Sequence, residues 1–212
     1  MLKINEIYAS IQGESSHTGL PCIFIRLTGC NLRCSWCDTA YAFYAGNDLT
    51  IEETLQKVDT FGLPLVEITG GEPLLQEDVY PLMEALLKKG YRVMLETSGA
   101  LPIDKVPQRV IKILDIKCPG SGEEKKNHLE NLKLLSPHDE VKFVLLDRAD
   151  YEWSRDMLRK YDMVPSKQVL FSPVYDKLNL KDLSQWILKD RLAVRLQTQL
   201  HKVIWSKDAI GV

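Results

Sequence analysis

Three cysteines, Cys30, Cys34 and Cys37, fall within one short stretch, Thr28-Gly-Cys-Asn-Leu-Arg-Cys-Ser-Trp-Cys-Asp38. This CxxxCxxC spacing offers three thiolates from a single loop and supplies no fourth. A structural zinc site closes with four ligands, usually drawn from two paired knuckles. Three thiolates on one loop instead suit an iron–sulfur cluster that keeps one iron open to a ligand. The plainer alternative is a Cys3His zinc loop, for which His17 is the one histidine nearby in sequence. A second segment able to do chemistry is Thr69-Gly-Gly-Glu-Pro73. Its two glycines let the backbone approach a ligand closely, and Glu72 offers a carboxylate acceptor; an ordinary strand–Gly-Gly–helix turn would read the same way. Arg26 sits in the otherwise apolar run Cys22–Leu27. A guanidinium there calls for an anionic partner, either a bound carboxylate or a neighbouring acidic side chain.

Composition bounds what can position these groups. The 212 residues, 45% of them hydrophobic and 26% charged, suffice for one substantial core and are short for two, so a single domain over residues 1–212 is expected. The net charge of -2 has no basic tract behind it, which leaves a nucleic-acid surface without electrostatic support and favours a small-molecule or protein substrate. Met1-Leu-Lys-Ile-Asn-Glu6 does not read as a leader, and no apolar run approaches a membrane span, so a cytoplasmic protein is expected. Five cysteines, three of them in one loop, fit thiols kept reduced for metal rather than a disulfide framework. Cys22 reads as a buried strand-end residue. Cys118, in Asp115-Ile-Lys-Cys-Pro119, closes another strand.

Short β-rich runs alternate with helical segments along the chain. Strands are expected at Ile23–Leu27, Leu65–Thr69, Arg92–Thr97, Ile111–Lys117, Val141–Leu146, Val169–Ser172 and Ala193–Leu196, most of them near-continuous apolar runs of the kind found where helices cover both sheet faces. Thr50-Ile-Glu-Glu53 is a capping box opening a helix to about Phe61. Further helices are expected from about Gln76 to Lys89, from an Asn127 cap through Leu135, over Tyr151–Tyr161, and over Leu180–Leu188 after Asn179. This alternation predicts an α/β fold with a parallel sheet wound in one sense. A complete eight-fold barrel takes about 250 residues, so an abbreviated, partial (β/α) barrel is expected, with its ligands at the carboxyl ends of the strands.

The cysteine spacing, with aromatic Trp36 before the third thiol, resembles the CxxxCxφC signature of the radical S-adenosylmethionine (SAM) superfamily. The resemblance implies the same partial-barrel architecture and a [4Fe-4S] cluster on Cys30, Cys34 and Cys37. Its fourth iron would chelate the amino and carboxylate groups of SAM, and an electron from the cluster would break the sulfur–C5′ bond to leave a 5′-deoxyadenosyl radical. Gly70-Gly71-Glu72 is similar to the superfamily's GGE motif, which holds the methionine amino group. Ser10-Ile-Gln-Gly-Glu14, Arg26, Cys37-Asp-Thr39 and Gln197-Thr-Gln-Leu-His-Lys202 together resemble the 7-carboxy-7-deazaguanine synthase family over nearly the whole chain. Ser15 stands where that family's motif often continues with glycine.

Membership would imply conversion of 6-carboxy-5,6,7,8-tetrahydropterin to 7-carboxy-7-deazaguanine with loss of ammonia, a carbon–nitrogen lyase step towards queuosine and related deazapurines. It would also imply Mg²⁺, an external flavodoxin-like or ferredoxin-like electron donor, and a homodimer. Carried over residue by residue, Trp36, Cys37, Asp38, Gly70, Gly71, Glu72, Lys117, Cys118, Ser172, Pro173 and Tyr175 would surround SAM. Ile11, Gln12, Gly13, Glu14, Arg26, Thr69 and His201 would meet the pterin, and Thr39 would hold Mg²⁺. The paired donors and acceptors of Gln12 and Glu14 suit the amide-and-amine edge of a pterin, and Arg26 suits its carboxylate. Two other readings remain. One is a radical SAM activase that installs a glycyl radical on a partner protein, and the other is a non-catalytic iron–sulfur or zinc module.

Overall fold

The apolar runs assemble side by side, each joined to the next by a crossover. The computed structural model describes every residue except Pro165, Asp208 and Val212. Its strands are β1 (Leu2–Ile11), β2 (Pro21–Leu27), β3 (Asn47–Leu49), β4 (Leu65–Gly70), β5 (Arg92–Thr97), β6 (Ile111–Ile116), β7 (Glu140–Leu145), β8 (Gln168–Pro173) and β9 (Arg195–Leu196). Among the described residues they form one sheet in the order β3-β1-β2-β4-β5-β6-β7-β8-β9. Every pairing from β2 to β9 is parallel. Because each crossover adds the next strand on the same side, the sheet curls without closing, as expected of a partial barrel.

The expected winding in one sense fails at the N-terminus. β1 runs antiparallel to β2, and β3 antiparallel to β1. Neither strand shows a clean alternation in sequence, and β1 has a physical reason: its register with β2 shifts between Ile4 and Glu6. The bulge breaks the period of two, so Leu2 and Ile4 face the core while the residues after Asn5 change sides.

The helices are α1 (Ile51–Asp59), α2 (Val79–Lys88), α3 (Arg148–Lys160), α4 (Leu180–Asp190) and α5 (Leu200–Ile204). Thr50 and Glu53 do form the capping box of α1, and Asn179 caps α4 by accepting from the Lys181 N–H at 2.8 Å. The segment after Asn127 makes only a short 3-10 turn, Leu129–Lys133. Asn127 instead pins the backbone of Lys117, accepting from its N–H at 2.9 Å and donating to its carbonyl at 2.8 Å.

Alternation divides the sheet into two unlike faces. Ile23, Ile25 and Leu27 on β2, Val66 and Ile68 on β4, and Val141 and Phe143 on β7 pack with Val58 of α1, Leu82 and Leu86 of α2, and Tyr151 of α3 in the main core. The opposite face carries a small apolar patch, Cys22, Phe24, Leu65, Met94 and Ile113. Helices therefore cover one face rather than two. The other face is concave, and above its apolar patch come Arg26, Glu67, Thr69, Glu96, Asp115 and Lys142, which line a cavity. The loop joining β1 to β2 reaches across this face. The Ser15 N–H donates to Gln197 Oε1 at 2.7 Å, the Ser16 N–H to Glu140 Oε1 at 3.1 Å, and the Leu200 N–H to the Gly13 carbonyl at 2.9 Å. The loop thus ties the β2 side of the open barrel to β7, β9 and α5.

Candidate active site

A cavity of about 630 Å³ opens on the concave face and is walled by both sets of residues singled out in the sequence. One wall is the cysteine loop that follows β2. Leu32 anchors it at 1% exposure. The Arg33 N–H donates to Glu123 Oε1 at 2.6 Å and the Ser35 N–H to the Ser121 carbonyl at 3.0 Å, so the 3-10 turns after β6 brace the loop from outside. The Arg33 guanidinium lies over the Phe43 ring, 4.3 Å from its centroid. Cys30, Cys34 and Cys37 all border the cavity and are free thiols. Burial raises the Cys30 and Cys34 thiols above their ordinary pKa.

The loop after β4 lies directly against this one. The Glu72 N–H donates to the Gly29 carbonyl at 2.7 Å. A Cβ on Gly71 would fall against Gly29 and 2.7 Å from Cys30 Cβ, so only glycine lets the two loops meet. Gly70, Gly71, Trp36, Asp38, Thr39, Lys117 and Tyr175 also line the cavity. Thr39 Oγ1 donates to Asp38 Oδ1 at 3.0 Å, and Asp38 Oδ2 pairs with Lys202 Nζ at 2.7 Å.

Four residues expected beside the cofactor do not border the cavity. Glu72 is fully buried, with its carboxylate turned into the protein to accept from Leu74 N–H (3.0 Å), Thr97 Oγ1 (2.9 Å) and Ser98 N–H (2.8 Å). It braces the β4 and β5 loops, and its acceptor capacity is spent there. Cys118 points into the main core, its Sγ 3.3 Å from Ser154 Oγ. Ser172 is buried at 1% exposure and Pro173 is half-buried, both outside the lining. β8 contributes through the residues after it, Val174 and Tyr175.

The second wall is charged and deep. Lys142 Nζ lies 2.6 Å from Glu96 Oε1 and also pairs with Glu14, with the lysine side chain at 6% exposure. Glu14 additionally accepts from Gln199 Nε2 at 2.8 Å and from Gln197 Nε2 at 3.2 Å. Burial pulls the Lys142 ammonium down, but Glu14, Glu96 and Asp115 outweigh it and hold it well above an ordinary lysine. Burial alone would raise Glu14; Lys142 reverses the sign and lowers it. Glu67, at 3% exposure, has no ion-pair partner among the described residues and hydrogen-bonds to Gln12. Burial, then the charges of Glu96 and Glu14, push its carboxyl well above the usual range. Gln12 Oε1 accepts from the Glu14 N–H at 3.1 Å, so the Gln12 amide is already engaged at both ends.

Ile11, Gln12, Gly13, Glu14, Arg26, Thr69 and His201 all reach the cavity. A Cβ on Gly13 would lie 2.8 Å from the His201 backbone nitrogen, so this glycine admits the start of α5. Burial lowers the His201 imidazole and so favours the neutral ring, an effect that the Glu14 carboxylate partly offsets. Ser15 adopts φ 64°, the left-handed conformation that explains a glycine preference at this position. Arg26 has an internal partner, Glu6 Oε1, 2.6 Å from Nε.

Sequence reasoning missed Glu67 and Lys142 as site residues. The available signal was a charge in an otherwise apolar strand, the same signal that marked Arg26.

Several features bear on what the cavity accepts. Asp115 Oδ2 accepts from Lys117 Nζ at 2.8 Å, while buried Oδ1 has no hydrogen-bond partner among the described residues. Such an acceptor calls for a donor on a ligand. Among the described residues no three His, Cys, Asp or Glu side chains converge as ligands of one metal ion. The three thiols share a loop and a cavity wall instead, an arrangement that serves the separate irons of a polynuclear cluster. The donor set and the close glycine loop fit a [4Fe-4S] cluster with a bound small molecule.

Residues 24–117 match the family described as the radical SAM superfamily. The chain is 49% identical to 7-carboxy-7-deazaguanine synthase of Koribacter versatilis, with all of both chains covered. It is 46% identical to the enzyme of that name from Chlorobaculum tepidum, over all of this chain and 97% of the relative. The crystal structure of QueE from Escherichia coli shares the fold, with a TM-score of 0.77 over 94% of each chain at 24% identity.

Proposed function

The chain belongs to the 7-carboxy-7-deazaguanine synthase family of radical SAM enzymes, and from that premise we propose that it converts 6-carboxy-5,6,7,8-tetrahydropterin to 7-carboxy-7-deazaguanine with loss of ammonia. The observation that carries this reading is one cavity lined both by the cluster loop and by Gln12, Glu14, Arg26, Thr69 and His201. Names shared with full-length relatives favour it over an activase acting on a partner protein. Residues 1–212 act together as one catalytic unit in this reading.

Cys30, Cys34 and Cys37 would hold the cluster, with Trp36, Gly70, Gly71, Lys117 and Tyr175 around SAM and Asp115 Oδ1 accepting from a cofactor hydroxyl. Bound there, cluster and SAM supply a hydrogen-abstracting carbon radical. The protein's own residues orient the substrate and keep other hydrogen donors away. Glu14 and Glu96 present acceptors to the amine and amide N–H groups of the pterin, while Lys142 between them offsets their mutual repulsion. His201, neutral by burial, offers an acceptor nitrogen near the same edge. Arg26 would take the pterin carboxylate, and the Thr39 hydroxyl would help hold Mg²⁺, a hard cation that would supply charge stabilisation to the substrate oxygens.

The same reading includes a flavodoxin-like or ferredoxin-like electron donor, a homodimer and a cytoplasmic location. Among the described residues no helix is long and apolar enough to cross a membrane.

The test is anaerobic incubation of the reconstituted, reduced protein with SAM, Mg²⁺ and 6-carboxytetrahydropterin, followed by mass spectrometry. Deazaguanine in excess over SAM consumed is the expected result. SAM cleavage without that product would move the substrate elsewhere, and no cleavage would overturn the cluster assignment.

A further inference from the structure

Arg26 is held in a way that its proposed task alone does not require. β1 and β2 pair Ile4 with Leu27 and then Glu6 with Arg26, so Asn5 is the extra residue of a bulge. Without that insertion Asn5 would face Arg26, and Glu6 would face Ile25 on the other side of the sheet. The bulge therefore sets a carboxylate beside the arginine. Glu6 Oε1 accepts from Arg26 Nε at 2.6 Å and from the Tyr41 hydroxyl at 2.8 Å. Arg26 Nη2 donates to the Tyr8 hydroxyl at 2.8 Å, and the guanidinium lies 5.9 Å from the Tyr8 ring centroid and 5.8 Å from that of Tyr41. Tyr8 is itself fixed by stacking on Phe24, with centroids 5.1 Å apart. The arginine and glutamate side chains are 15% and 16% exposed, so the pair is largely withdrawn from water.

We infer that Glu6 is a positioning residue for substrate capture, fixing the Arg26 guanidinium so that its terminal edge is left to receive the substrate carboxylate, and linking that presentation through Tyr41 to the cluster loop. The inference rests on the substrate reading above. A guanidinium has five N–H bonds. Glu6 occupies Nε–H and Tyr8 one hydrogen of Nη2, which leaves Nη1 and the second Nη2 hydrogen. A carboxylate then binds end-on to Nη1 and Nη2, because the side-on approach through Nε is already taken. Tyr41 belongs to the 3-10 turn Ala40–Phe43, directly after Thr39. Its bond to Glu6 sets the arginine relative to the loop that carries the cluster and the proposed Mg²⁺ ligand. A displacement of about 1 Å between substrate carboxylate and radical source is enough to slow reaction substantially.

The experiment compares binding of 6-carboxytetrahydropterin and of the same pterin lacking the carboxylate to the reconstituted enzyme with SAM, alongside KM and kcat. Glu6→Ala is expected to weaken the carboxylate-bearing ligand about tenfold and raise KM to match, leaving the carboxylate-free pterin unchanged. Glu6→Gln, whose amide oxygen still accepts from Nε and Tyr41, should stay within about threefold of the parent. Tyr41→Phe should raise KM roughly threefold, with SAM binding and the cluster absorption unaltered. Equal weakening of both pterins by Glu6→Ala would overturn the inference, since a purely structural role predicts it. If Glu6→Ala does not fold, an unchanged KM in Tyr41→Phe overturns it instead. Arg26→Ala separates the two readings. Loss of carboxylate discrimination there, with none in the Glu6 and Tyr41 variants, removes Glu6 alone; no loss with Arg26→Ala removes the substrate role of the arginine itself.

Discussion

The cluster wall of the cavity comes from one short loop, Cys30 to Cys37, with Gly70 and Gly71 packed against it, whereas the opposite wall collects Glu14 from the β1–β2 loop, Glu67 from β4, Glu96 from β5 and Lys142 from β7. The first wall carries three thiols, two of which burial raises above their ordinary pKa. The second is a buried charge cluster in which one lysine serves two carboxylates and a third carboxyl, Glu67, is left beside them. Spacing within one loop brings three thiols to a single wall, and the turns after β6 only brace that loop from outside. Burying carboxylates requires a counter-charge from a distant strand, so that wall exists only in the folded sheet.

The largest effect should break the first wall alone. Alanine at Cys30, Cys34 or Cys37 is expected to abolish SAM cleavage while leaving thermal unfolding nearly unchanged; retained turnover in any of the three would end the cluster assignment. Lys142→Met attacks the second wall. It leaves Glu14 and Glu96 without their cation, and denaturant titration should show a loss of about 3–5 kcal/mol with iron incorporation retained in the surviving folded fraction. An unchanged midpoint would mean that solvent or a shifted proton already compensates the charges.

Glu72→Ala tests which side of the comparison that residue belongs to. Loss of an acceptor for Leu74 N–H, Thr97 Oγ1 and Ser98 N–H should cost about 3 kcal/mol. Weaker SAM binding at unchanged stability would return Glu72 to the cofactor wall. The smallest effect is expected at Glu67. A carboxyl whose folded pKa is raised favours the folded state only while protonated. Its contribution is intact below the ordinary carboxylate pKa and is lost as pH rises through the folded value. Glu67→Gln stays neutral, so its melting temperature should match the parent in acid and exceed it increasingly towards neutral pH, by roughly 2–4 °C per kcal/mol recovered. A constant difference across that range would show that Glu67 is not the titrating group.

Arg26 and Lys142 show how far a charge in an apolar strand can be read. Both break a run that should be continuous in a parallel sheet, yet only the folded register reveals that Lys142 stands level with Asp115 on the concave face and within reach of Glu14 and Glu96. Arg26 called for an anion, and the sequence left open whether it was bound or built in. The structure supplies Glu6, placed by a bulge whose shift in period also hid β1 from a pattern search. Glu72 and Cys118 teach the converse. Both lie in or beside a motif-bearing loop, but one turns inward to hold loop backbone and the other packs in the core, because side-chain direction at a strand end depends on what the neighbouring strands leave unsatisfied.

The sequence by itself determined the cysteine spacing, the glycine pair, the succession of apolar runs that makes a parallel sheet, and the caps of α1 and α4. All of these depend on residues within a few positions of one another, where local sterics and hydrogen bonding dominate. Tertiary structure decided which sheet face stayed open, how the β1–β2 loop closes it, and how charges far apart in the chain meet around Lys142. Those outcomes depend on strand register and on the cost of burying charge, and both are fixed only when distant segments pack together.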